Sequence, residues 1–132
     1  MSQTDLLSYR LSVQMSDIKY VKVIEIEYQS RIVRYIDVRL SIRIDGRDMP
    51  TVRGVFLKPE EFSLIIGHMS RFEEHFLISE LRMVWFRSSR YYPNVFELII
   101  REDLRENKII LFPNEIIQLY IMRDLLLLKC YN

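Results

Sequence analysis

Alanine is absent from this chain of 132 residues, and cysteine and tryptophan each occur once. With Ile, Leu, Val, Phe and Tyr abundant instead, strands are expected to outweigh helices. The lone Cys130 has no internal partner for a disulfide, which suits a reducing, intracellular compartment. Three scattered glycines leave no glycine-rich loop to cradle a phosphate. The apolar run near the end, Leu125 to Leu128, is far too short for a membrane span, and the start lacks the pattern of a signal peptide, so no membrane partner is expected. His68 and His75 lie seven residues apart, not the three or four that put two ligands on one helix face, so neither a metal nor another cofactor is expected. Glu60-Glu61 and Glu73-Glu74 read as charges on helix ends and solvated faces rather than acid/base dyads. No nucleophile-base set stands out, so the chain does not read as an enzyme.

What is present is 49% hydrophobic and 28% charged, the balance of a folded domain. A net charge of +1 advertises no global attraction to nucleic acid, yet 14 of the 19 positive residues are arginine. Arginine grips phosphate with two donors and stacks on flat rings, which lysine does less well.

The pattern repeats. Arg53-Gly54-Val55-Phe56-Leu57-Lys58-Pro59-Glu60-Glu61-Phe62 has a weaker copy 54 residues later, Asn107 to Ile116. Each cassette is a short apolar strand leading through Leu-x-Pro-x-Glu into a helix. Proline suits the first helical position, and Glu61 and Glu115 fall near the positive end of the helix dipole. Upstream, Tyr28-Gln29-Ser30 pairs with Phe86-Arg87-Ser88, and the strand at Val38 with that at Phe96, both 58 residues apart. The spacing shrinks at the cassettes because the Asp45 to Val52 turn is longer than its counterpart.

Alternation over Leu7 to Met15, Tyr20 to Gln29 and Arg34 to Ile44 predicts strands. In the last, Ile36, Val38, Leu40, Ile42 and Ile44 should face inward, with Tyr35, Asp37, Arg39, Ser41 and Arg43 outward. Val52 to Leu57, Phe76 to Arg87, Asn94 to Glu102 and Lys108 to Leu111 complete the strands. Helices follow from Pro59 to about Glu74 and from Pro113 to about Leu128. The second is apolar on nearly every face and should be buried between partners. The fold class is α+β: two repeats of antiparallel strands followed by a helix, residues 1–75 and 76–132, fused as an intrachain pseudo-dimer.

At these residues the chain resembles the positive-cofactor-four family of single-stranded-DNA-binding transcriptional coactivators. Tyr20-Val21-Lys22-Val23 looks like its second strand, Ile36-Asp37-Val38-Arg39 like its Asp-Ile-Arg segment, and Arg53 to Phe62 like its signature. The Whirly-type fold, four strands and a helix repeated twice, is similar in outline. The resemblance implies a single-chain version of the family's dimer, binding single strands on β-ridges, with transcription or replication proteins as partners. It departs from the family where Leu40-Ser41-Ile42 replaces an aromatic and where Glu25 and Glu27 put acids near the expected ridge.

Single strands are held by cations that track phosphates and by rings that stack bases. On the first half Arg34, Tyr35, Arg39 and Arg43, with Arg53 one strand away, form the expected ridge. Arg39 and Arg53 carry over from the family by position; the others are placed by geometry. On the second half Trp85, Arg87, Arg90 and Tyr91 interleave cations and aromatics around a loop that Pro93 keeps out of the sheet. Alternation buries either Trp85 or Phe86. Single-stranded DNA is the expected partner, with RNA and a protein-only interaction surface as alternatives, the chain being a monomeric pseudo-dimer or a homodimer.

Overall fold

The computed structural model describes residues 4–78 and 82–131. The first antiparallel sheet is built in chain order from β1 (Thr4–Gln14), β2 (Lys19–Tyr28), β3 (Arg31–Ile44) and β4 (Arg47–Leu57), and leads into α1 (Pro59–Ser70). The second comprises β5 (His75–Ile78), β6 (Arg82–Ser88), β7 (Phe96–Glu102) and β8 (Arg105–Leu111), followed by α2 (Pro113–Ile121) and α3 (Arg123–Tyr131). This is an α+β intrachain pseudo-dimer, with the element order of the Whirly-type outline. Where one strand was expected from Phe76 to Arg87, β5 and β6 are antiparallel neighbours, with Phe76 opposite Trp85.

Short turns set the registers. Asp45 and Gly46 both take positive φ between β3 and β4, the geometry that closes a two-residue hairpin. β2 pairs with β3 only as far as Lys19 opposite Leu40, so Ser41 to Ile44 and Arg47 to Pro50 continue as a two-stranded arm. A register shift between Arg39 and Ser41, with the extra residues on β4, lies at the base of that arm. Against expectation Ser41 is buried and Ile42 and Ile44 are about half exposed, while Arg43 is exposed too, because the arm runs past β2 with both faces open.

Register also corrects the repeat. Leu57 lies opposite Ile36 and Leu111 opposite Phe96, so Phe96 is the counterpart of Ile36 rather than of Val38. Tyr28 and Phe86 are not equivalent either: Tyr28 is exposed and Phe86 is buried in the core.

One core joins both halves. Val21, Val23, Ile36, Val38, Val55 and Leu57 of the first sheet share it with Val84, Phe86, Leu98, Ile100, Ile109 and Leu111 of the second, around Phe62, Ile65 and Met69 of α1 and Ile116, Leu119 and Leu126 of the last two helices. α1 stops at Ser70 rather than Glu74: Phe72 takes a left-handed φ, and the Glu73 N–H returns to the His68 carbonyl. Phe72 then stacks on Phe96, which stacks on Phe86. The expected last helix is broken at Met122, where the Arg123 guanidinium takes the Tyr120 carbonyl at 2.7 Å. It is not buried all round: Ile117, Ile121, Leu125 and Leu128 remain exposed.

The cassette glutamates do two jobs. Glu61 accepts the Lys58 N–H on Oε1 (2.8 Å) and Arg82 Nε on Oε2 (2.8 Å), capping its own helix while gripping the other half. Glu115 likewise accepts the Phe112 N–H (2.8 Å) and the ammonium of Lys19 (2.8 Å), both on Oε1. The two halves thus exchange one buried ion pair in each direction.

Candidate nucleic-acid interface

Each sheet has a face turned away from the helices. On the first, register places Tyr20, Lys22 and Ile24 of β2 beside Arg39, Asp37 and Tyr35 of β3, with Gly54 and Phe56 of β4 next in line. Arg39 lies flat across this surface. Its guanidinium sits 4.9 Å from the Phe56 ring centroid, its Nε bonds Asp37 at 3.0 Å, and Nη1 bonds the Thr51 carbonyl at 2.7 Å. Tyr35 packs against Phe56 at 6.2 Å, and Lys22 lies over Tyr20.

Gly54 makes room for that arginine. A Cβ there would meet the Val38 carbonyl oxygen and Arg39 Cζ at 2.8 Å each. Gly54→Ala should therefore cost about 1–3 kcal/mol in urea unfolding, since the backbone oxygen cannot swing aside as a side chain can. A loss below roughly 0.5 kcal/mol, within the range of ordinary surface substitutions, would show that the strand relaxes freely.

The second outer face repeats the chemistry with different residues. Trp85 and Arg87 of β6 stand beside Ile99 and Glu97 of β7, with Arg101 following and Lys108 on β8. The Arg101 guanidinium lies 5.0 Å from the Trp85 ring, and Glu97, buried at 3% exposure, takes both Arg87 and Lys108 at 3.3 Å. Phe86, not Trp85, is the core residue of this pair. Arg90 and Tyr91 stand exposed in the β6–β7 loop, Tyr91 at 81%.

Of the residues expected on the first ridge, Tyr35 and Arg39 share the outer face, each against Phe56. Arg34 does not join them: it points to the helix side, where its Nε bonds Glu25 (3.0 Å) and its Nη1 the Cys130 carbonyl (3.2 Å). Arg10 joins the same cluster through Glu25 (3.0 Å) and the Lys129 carbonyl (2.9 Å), so two arginines hold the carbonyl end of α3. Glu25 is therefore no ridge acid; Asp37 is. Arg43 lies out on the arm, paired with Asp48 at 3.4 Å, and Asp48 also accepts the Tyr20 hydroxyl, which holds its carboxyl below the ordinary range. Sequence reading overlooked Lys22, Phe56, Arg101 and Lys108. Period-two alternation from Arg39 and Trp85 to their neighbours on adjacent strands was the signal available, but it needs the registers.

Burial raises the Asp37 carboxyl above its ordinary value, against the pull of Arg39. Because the folded pKa is the higher one, the favourable contribution is complete at low pH and is lost as pH rises through it. Lowering the pH protonates Asp37 and releases Arg39 for an external anion. Any phosphate held on this face should thus bind more tightly as pH falls through the raised Asp37 pKa, and Asp37→Asn should raise neutral-pH affinity and flatten that dependence. Titrating a single strand at several pH values checks this; identical profiles for the two proteins would refute it.

Between the outer faces, β4 packs beside β8. A groove of about 500 Å³ opens there, lined by Ile18, Lys19, Leu40 and Arg53 from the first half and Lys108, Ile109, Ile110 and Phe112 from the second. Among the described residues no group of three or more His, Cys, Asp or Glu side chains could hold a metal ion, and no helix is long and apolar enough to cross a membrane. Burial pushes the Cys130 thiol up to about 11, so it stays protonated at neutral pH.

This architecture is the class to which the chain belongs: two helix-backed four-stranded sheets fused in one polypeptide. Among solved structures it is similar to the trypanosome MRP1/MRP2 proteins, with a TM-score of 0.46 and 12% sequence identity over 96% of this chain and 84% of that one. No protein-family profile and no curated protein sequence matches it.

Proposed function

We propose that this protein binds single-stranded nucleic acid on its two outer sheet faces. It acts as a binding protein rather than a catalyst, inside the cell, where transcription or replication exposes single strands. The observation that carries this reading is the guanidinium laid over an aromatic ring on each face, Arg39 on Phe56 and Arg101 on Trp85. Such a plane can stack a base while its N–H groups reach phosphate. The resemblance of Ile36 to Arg39 and of Arg53 to Phe62 to the coactivator family agrees with it.

Fluorescence-anisotropy titration with single-stranded DNA, duplex DNA and single-stranded RNA tests the reading. Single strands should bind best, and with four or five phosphate contacts log affinity should fall against log salt with a slope of roughly −3. An affinity indifferent to salt would rule it out, and the DNA and RNA arms decide between the two polymers. A protein-interaction module is the second reading. It is favoured by the exposed Ile117, Ile121, Leu125 and Leu128 on the last helices, and by outer-face cations already paired with Asp37, Glu97 and Glu106.

A further inference from the structure

We propose that the groove between β4 and β8 is a nucleotide slot, taking one base of a bound strand out of its stack and that nucleotide's phosphate at the rim. This deepens the single-strand reading and rests on it. The volume, about 500 Å³, falls within the usual range of small-ligand pockets, roughly 300–1,000 Å³.

The lining divides by chemistry. Ile18, Leu40, Ile110 and Phe112 supply an apolar interior, and Lys19, Arg53 and Lys108 supply cations. Among the described residues no carboxylate lines the groove: Glu115 engages Lys19 and Glu97 engages Lys108 from outside the lining. Lys19 lies 4.4 Å from the Phe112 ring centroid, and Phe112 is still 46% exposed, so a base has an aromatic residue to meet. Arg53 is exposed, and among the described residues its guanidinium has no hydrogen-bond or ion-pair partner.

An apolar slot with an uncompensated arginine at its side selects a flat heterocycle that carries an anion. A nucleotide meets both demands, while a nucleoside or free phosphate meets one each. The groove draws its walls from both halves, so a base seated there would fix the register of the strand as it passes from one outer face to the other.

The test is NMR titration of the isotope-labelled full chain with thymidine 5′-monophosphate, thymidine and inorganic phosphate separately, beside anisotropy with a thymidine oligonucleotide of about 12 residues. Expected are saturable shifts at Leu40, Arg53, Lys108, Ile110 and Phe112 with the monophosphate, with thymidine and phosphate each binding at least roughly tenfold more weakly. Arg53→Ala should weaken the monophosphate about tenfold and make the oligonucleotide's salt slope shallower by about 0.7. No saturable shift at those residues, or an unchanged affinity in Arg53→Ala, overturns the slot even if the oligonucleotide binds. An oligonucleotide that fails to bind overturns the function proposed above, and the monophosphate titration then still decides the slot by itself.

Discussion

Arg82→Met should lower the unfolding free energy by about 3–5 kcal/mol, the range seen when one partner of a buried ion pair is removed. Arg82 is 8% exposed and reaches three acceptors: Glu61 of α1 at 2.8 Å, the Phe56 carbonyl of β4, and Glu102 of its own sheet at 3.1 Å. Two of those belong to the other half. Methionine keeps the apolar stem as far as Nε but leaves the Glu61 carboxylate and the Phe56 carbonyl facing an apolar side chain. The double variant Glu61→Gln with Arg82→Met should regain much of the loss, because glutamine can still accept the Lys58 N–H without burying a charge. Urea unfolding of the single and double variants makes the comparison. A single-variant loss under about 1 kcal/mol would place this contact among surface ion pairs and discredit its role in joining the halves.

That clamp also explains why the cassette was the most legible part of the chain. Pro59 and Pro113 at helix starts, and Glu61 and Glu115 two residues on, follow from local helix chemistry, so they can be read without tertiary information. The same locality made the hairpin strands visible through alternation. What escaped notice depended on relations between elements. The shift between Arg39 and Ser41 leaves no mark in the pattern of Ile36 to Ile44, yet beyond it Ser41 is buried and Ile42 and Ile44 are exposed. The break at Met122 has neither proline nor glycine to announce it. Arg34 and Tyr35 must face opposite ways by alternation alone. Which of them joins the outer face was settled by α3, whose terminal carbonyls take the donors of Arg34 and Arg10. The outer-face partners Phe56 and Arg101 became recognisable only once β4 lay beside β3 and β6 beside β7.

Removing the two stacked guanidiniums together should weaken single-strand binding by about 100-fold, since each stacked contact is worth about 1–3 kcal/mol by substitution. The choice of variant decides whether that result can be read. Arg39→Ala alone would strand Asp37, a carboxylate at 6% exposure whose partner is Arg39 at 3.0 Å, and lost affinity could then be lost folding. Arg39→Gln combined with Asp37→Asn removes both charges at once and keeps hydrogen-bonding groups on the sheet. Arg101→Gln needs no such partner change, because Arg101 and its ion-pair partner Glu106 are both about half exposed. The triple variant should therefore unfold within roughly 1 kcal/mol of the parent while its salt slope becomes shallower by about 1.4, two phosphate contacts fewer on a single strand. If affinity and slope are retained in a folded triple variant, the strand does not run over these faces, and the exposed apolar row on the last two helices becomes the surface to pursue. If affinity falls but the slope holds, the guanidiniums act through base stacking alone and the phosphates are held elsewhere, with Arg53 and Arg90 the exposed arginines to replace next.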